Sequence, residues 1–375
     1  MSETTKSGRT LMVVLITFLA CFISELKAQG TKKPVKIGAY YYDGWGGKNA
    51  KADNPNEPWA KNAPRQVTKR MLDEFADREP VWGWRSDSQE IMERQIDLAA
   101  DNGIEFFLFC WYWRDTKGPI NLDAIAKLPG HESMHRYLKA KNKHRIKFGL
   151  LIANHQGAEI TGTENWEKAT EHWMQYFNDP QYIKVDSKPM VVIFSAKGIE
   201  NADIAAMQQT AQKQGLKQGL TITGCGNTDG KNFDVSTHYN VVPGYSSGSE
   251  EHTYAELANA QRERWKGTAE KPYIPTVIAG WDKRPWEDAS GKATSGGAKQ
   301  GWFYTGKTPQ QFKTFLTDAV TWMDKNPEQT IKERMMLIYA WNELGEGGYL
   351  VPTKGDPKAS YLKVVKDVVS NQNKK

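Results

Sequence analysis

Eight short apolar runs recur along the chain, at residues 35–42 (VKIGAYYY), 105–113 (EFFLFCWYW), 147–155 (KFGLLIANH), 189–195 (PMVVIFS), 220–225, 235–242, 273–281 (YIPTVIAGW) and 336–341 (MLIYAW). Most are nearly unbroken rather than alternating, as expected of strands buried on both faces in a parallel sheet. Helical spacing fills most of the gaps. Ser86-Asp87-Ser88 with Glu90 offers a cap for a helix carrying Ile91, Ile96, Leu98 and Ala99. Further helices are expected over 121–141 (broken near Pro129-Gly130), from Trp166 to Phe177, over 202–214 with Gly215 as C-cap, and over 253–265. Two more are expected over 309–325, after a Thr308 cap, and over 359–369. Such alternation, without an internal repeat or a linker of biased composition, predicts an α/β chain folded as a single (β/α)8 TIM-like barrel with long βα loops. A doubly wound open sheet is the competing arrangement.

The first thirty residues read as an export signal. Lys6 and Arg9 precede an apolar core of thirteen residues, 11–23, and Leu26-Lys27-Ala28 supplies a small-residue cleavage site. The core is too short to span a bilayer. Cys21 weakly resembles a lipid-attachment site, but the apolar run continues past it, so the expectation is a soluble exported protein, periplasmic or extracellular. Removing residues 1–28 of the 375 leaves a mature domain over 29–375. The formal charge of +6 falls only to about +5, since the signal holds three basic and two acidic residues. No basic tract interleaves with aromatics, which argues against nucleic acid as a partner. The mature chain has two cysteines, Cys110 and Cys225, expected as buried free thiols, and no spacing suggests a metal site or another cofactor. Oligomeric state is not legible.

The last apolar run ends in chemistry. Asn342, Glu343 and Glu346 follow it within five positions, among Gly345, Gly347 and Gly348. A barrel enzyme keeps its reacting groups at the C-terminal ends of its strands. Two carboxyl groups three residues apart reach one pocket from different environments, so one can stay ionised as a base while the other stays protonated as an acid. Glycoside hydrolysis needs that division. Other strand ends offer sugar-binding groups: Tyr41 and Tyr42, Trp111 and Trp113, Asn154 and His155, and Tyr239. Trp281, Asp282, Arg284 and Trp286 follow the seventh run. Tyrosine and tryptophan give platforms for a sugar face, and the polar groups give directional hydrogen bonds. Packing is the competing role for each of them. The fourteen tryptophans and fifteen tyrosines, clustered at strand ends, suit an oligo- or polysaccharide ligand.

Asn342-Glu343-x-x-Glu346-Gly347, followed by Tyr349-Leu350-x-Pro352, resembles the NEWxEG...EP signature of glycoside hydrolase family 99 and family-99-like domains. Similarity extends to residues 37–42, 106–113, 188–189 and 280–286. The resemblance implies that Glu343 is the base that helps the sugar's own 2-hydroxyl attack the anomeric carbon through a 1,2-anhydro intermediate. It implies that Glu346 is the acid for the leaving oxygen and then the base for water. Retention at an α-linked sugar, mannose or a relative, would follow. Leu344 stands where the signature has tryptophan and Val351 where it has glutamate, which bears on substrate identity. Two other readings stand beside hydrolysis: a glycan-binding barrel without turnover, and a glycosyltransferase, a label some family-99-like domains carry. The export signal and the lack of a phosphate-cradling loop or Asp-x-Asp pair weigh against the last.

Overall fold

The structure, a computed structural model, describes residues 33–85, 88–113, 121, 124–125, 128–266, 270–287 and 299–372. The expected signal over residues 1–28, Cys21, and the Ser86-Asp87 part of the expected cap lie outside them. Val35–Lys375 forms one compact unit.

Eight parallel strands make the barrel: β1 (Lys36–Tyr41), β2 (Phe106–Trp111), β3 (Lys147–Ile152), β4 (Lys188–Ile193), β5 (Thr221–Cys225), β6 (Val235–Thr237), β7 (Thr276–Ile278) and β8 (Met335–Tyr339). Their ladder runs in the order β6-β5-β4-β3-β2-β1-β8-β7. The remaining gap, between β6 and β7, is bridged at one residue. Ser236 N donates to Pro272 O (3.0 Å), and Ile274 N donates to Ser236 O (3.0 Å). The barrel is therefore nearly closed. Both faces of each strand are covered, the inner by side chains across the barrel and the outer by helices, which is why the runs lack alternation.

The helices are α1 (Gln89–Asp101), α2 (Glu132–Lys139), α3 (Thr163–Phe177), α4 (Asn201–Lys213), α5 (Tyr254–Lys266), α6 (Pro309–Lys325) and α7 (Ser360–Gln372). α1 starts where Ser88 accepts from Ile91 N (3.4 Å), and α6 starts at a capping box of Thr308 and Gln311. α6 buries Phe312, Phe315, Leu316, Ala319, Val320 and Met323, one face at helical spacing. No helix joins β5 to β6; residues 226–234 cross as a loop.

Several elements are shorter than expected. β6 stops at Thr237 rather than reaching Val242, because the next carbonyl, His238 O, is taken by the Thr276 hydroxyl (2.6 Å) and the Tyr40 hydroxyl (3.1 Å) instead of a ladder amide. His238 and Tyr239 thus follow β6 rather than lie on it. β7 begins only after Pro275, which has no amide to give. Cys110 and Cys225 are buried free thiols on β2 and β5, with β3 and β4 between them.

α2 takes its N-terminal cap from far away in sequence. Asp43, fully buried just past β1, accepts from Ser133 N (3.1 and 2.9 Å) and Met134 N (3.2 Å), the second and third amides of the helix. These bonds tie α2 to the mouth of the barrel. Asp43→Ala leaves two buried amides without acceptors and is expected to destabilise the fold by about 2–4 kcal/mol. Urea unfolding of both proteins checks this, and an unchanged midpoint would refute the cap.

Candidate active site

β8 delivers the chain to the mouth between β1 and β7, with Met335–Ile338 paired to Lys36–Ala39 and Leu337–Tyr339 to Thr276–Ile278. Beyond it, Asn342 clamps the exits of β8 and β1 together. Its Oδ1 accepts from Tyr42 N (2.8 Å) and its Nδ2 donates to Tyr42 O (2.9 Å). Trp45 Nε1 donates to Asn342 O (2.9 Å). The chain then reverses, so that Asn342–Glu343 pairs antiparallel with Gly348–Tyr349. Gly280 (φ +152°) lets the exit of β7 lie against this loop, since a Cβ there would fall 2.4 Å from Gly347 O. The buried Arg78 locks the contact. It donates to Leu344 O (3.2 Å), to Asp282 O (2.8 Å) and to Asp282 Oδ2 (2.5 Å), while Asp282 N donates to Glu346 O (2.6 Å).

The two carboxyl groups meet in a cleft of about 580 Å³. Tyr239 donates to Glu343 Oε1 (2.6 Å), and Tyr339 donates to Glu346 Oε2. The two phenol rings meet edge to face, 4.9 Å between centroids. Glu343 Oε2 is buried and has no hydrogen-bond partner. Burial and the neighbouring Glu346 raise the Glu343 carboxyl well above its ordinary range, against the pull of the Tyr239 hydroxyl. Burial likewise raises Glu346, to about 7, opposed by the Tyr339 hydroxyl and the Lys283 charge. Burial and mutual repulsion therefore favour protonation within the pair toward neutral pH. Lys283 is itself buried, 3.4 Å from Glu287.

Of the residues expected to contact ligand, Tyr42, His155, Tyr239, Trp286, Glu343 and Glu346 line the cleft. The others do not. Tyr41 points the opposite way from Tyr42, into the barrel wall, where its hydroxyl reaches Gln95 (3.2 Å). Trp111 and Trp113 lie behind β2, Trp111 stacked on His131. Asn154 is tied to the backbone of Ser195 at 2.7 and 3.0 Å. Trp281 is buried behind Tyr245 and Tyr339. Asp282 and Arg284 pair with each other at 2.8 Å, and Arg284 covers the Phe303 ring. Asn342 is the clamp described above.

The cleft also takes residues that were not anticipated. Cys110 and Tyr112 occupy the positions on β2 and its exit whose parity matches Leu108, and Arg65, Gln66 and Tyr245 come from the long loops. Leu344 does not border the cleft. With Val351 it lines a second, much smaller pocket among Trp45, Trp82 and Trp84, so both departures from the family signature face away from the carboxyl pair. Among the described residues, no group of three or more His, Cys, Asp or Glu is arranged to hold a metal ion, and no helix is long and apolar enough to cross a membrane.

Known structures share this barrel. The family 99 endo-α-mannosidase of Bacteroides thetaiotaomicron, bound to bis-tris-propane, is 14% identical with a TM-score of 0.58, over 90% of this chain and 97% of that one. A second structure of the enzyme gives 15% and 0.57 over the same shares. A glycoside hydrolase-like protein gives 16% and 0.58, over 91% and 95%. At these identities the likeness is one of fold, and the fold is glycosidase-like. No curated protein matches the chain. Residues 84–365, three quarters of the chain, match the family described as glycosyltransferase WbsX. The chain belongs to that family, and its barrel is similar in fold to those of the family 99 structures.

Proposed function

We propose that the protein is an exported glycoside hydrolase that cleaves an α-linked glycan, mannan-like or related, with retention. The observation that carries this reading is the carboxyl pair: two buried glutamates at a barrel mouth, each met by a tyrosine hydroxyl and each raised above its ordinary range. Glu343 lines the cleft, where a sugar 2-hydroxyl is the donor that its carboxylate takes up. That contact gives Glu343 a second hydrogen bond and favours its carboxylate, which leaves Glu346 as the protonated partner. Glu343 draws the proton from O2 as O2 closes on the anomeric carbon, and Glu346 protonates the departing oxygen. Water then opens the 1,2-anhydro ring, losing its proton to Glu346 while O2 recovers its own from Glu343. The α-mannoside's axial O2 stands trans to the leaving group, which suits the internal displacement. Similarity of fold to an endo-α-mannosidase supports the substrate class.

The family's description favours a second reading, transfer to a sugar acceptor. Both readings use the same pair and differ in what opens the intermediate.

Incubation with a panel of α-mannans and related polysaccharides, with products resolved by size and anomeric configuration, is expected to yield α-configured free ends. Longer transfer products in place of these would establish the transferase. Glu343→Gln and Glu346→Gln are each expected to lower kcat by about 10²–10⁴-fold while the circular dichroism spectrum stays unchanged. Full activity in either variant rejects the assignment, and glycan binding that survives both changes with no product from the parent protein favours a binding barrel.

Tyr339 offers a test by pH. Its hydroxyl stabilises the ionised form of Glu346, so Tyr339→Phe raises that carboxyl further above about 7. Protonated Glu346 then persists to higher pH. The alkaline limb of the rate profile, and the ¹³C titration of the Glu346 carboxyl, are expected to move up by about one pH unit. A shift downward would show that Tyr339 favours the protonated form instead.

A further inference from the structure

Most arginines of this fold are committed to partners. Arg78 and Arg284 share Asp282, Arg145 bridges Asp97 and Asp101, Arg262 holds Asp318 and Arg334 holds Asp324. Arg65 is different. It lines the cleft, half-buried, yet among the described residues it has no ion pair, hydrogen bond or ring contact.

Its position is not that of a loose surface side chain. The turn that carries it is pinned on both sides. Asn49 Nδ2 donates to Pro64 O and to Val67 O (both 2.9 Å), and Val67 N closes the turn on Pro64 O (3.1 Å). Trp286 Nε1 donates to the neighbouring Gln66 O (3.2 Å), so the indole and the guanidinium are presented to the cleft from one fixed frame. Nor is Arg65 there to neutralise the carboxyl pair, because the cation that acts on Glu346 is Lys283. Arg65 is felt instead at Tyr42, whose hydroxyl is pushed up by burial and by the two glutamates and pulled down by the Arg65 charge. Tyr42, Arg65 and the two glutamates line the same cleft. A half-desolvated guanidinium without an acceptor is unfavourable in an empty site and favourable once a planar oxyanion fills its fork.

We propose that the glycan this cleft takes is acidic, with Arg65 pairing with a carboxylate or sulfate ester on the sugar that lies against Trp286. The proposal rests on the hydrolase reading for its catalytic arm only. Arg65 is then a specificity-determining residue, and neutral α-mannan is the poorer substrate.

The test uses one α-mannan in three forms: native, oxidised at C6 to the uronate, and partially sulfated. The parent protein is expected to show a kcat/KM at least tenfold higher on one of the acidic forms than on the native one, falling as salt rises. In Arg65→Gln the acidic-to-neutral ratio is expected to drop to about one through KM, with Arg65→Lys intermediate because it keeps charge but loses the fork. Which acidic form is preferred separates a uronate from a sulfate ester. A second arm measures binding of the corresponding oligosaccharides to Glu346→Gln, with and without Arg65→Gln, by calorimetry. Equal use of neutral and acidic forms, or a preference that survives Arg65→Gln, overturns the proposal and leaves the hydrolase reading intact. Arg65-dependent binding of acidic sugars with no cleavage by the parent protein overturns the hydrolase reading and leaves the acidic cleft standing.

Discussion

Two carboxyl groups desolvated in one cleft cannot both carry charge cheaply, and the architecture of the mouth answers that constraint. Water is kept away by rings from β1, β6 and β8, which raises both glutamates. The opposing stabilisation is unequal: Glu346 has a tyrosine hydroxyl and a nearby buried ammonium, whereas Glu343 has a tyrosine hydroxyl and one bare oxygen. The two carboxyl groups are thereby held in unlike surroundings. Unequal environments for like groups are what acid–base chemistry requires of a site.

Holding that inequality takes a stiff frame, and the frame is made of backbone contacts more than of side chains in the cleft. Asn342 joins the exits of β8 and β1, Arg78 and Asp282 bind the carbonyls of the glutamate loop, and glycine allows the exit of β7 to approach. Several residues that read as ligand contacts in the sequence work at this level. Asp282, Arg284 and Asn342 position the loop that carries the glutamates, and they do so from outside the cleft.

The fold was legible because a doubly covered strand leaves a plain mark: a short apolar run with no alternation, ended by a polar residue. The eight runs, the Thr308-Pro309 helix start and the Gly215 stop all correspond to observed elements. β6 is shorter than its run suggests because threonine hydroxyls displace ladder bonds, an effect of neighbours that no local pattern carries, whereas Pro275 in the run itself marks where the pairing of β7 begins. The site was legible at Glu343 and Glu346, whose place follows from the strand, and less so in its walls. Adjacent residues on a strand face opposite ways, so naming both Tyr41 and Tyr42, or Trp111 and Trp113 without Tyr112, ignored a parity that Leu108 in the barrel already sets. Arg65, Gln66 and Tyr245 come from loops whose path depends on tertiary contacts, and nothing in their spacing marks them.

The seam between β6 and β7 has a consequence for motion. Among the described residues, the wall there is joined by backbone bonds through Ser236 alone, supplemented by the hydroxyls of Thr237 and Thr276, and no crossover helix braces β5 to β6. A sector with few ladder bonds opens at the smallest free-energy cost. Tyr239, two residues past the end of β6, is the hydroxyl on Glu343. Any loosening of this seam would therefore be felt at the Glu343 carboxyl through the Tyr239 hydroxyl.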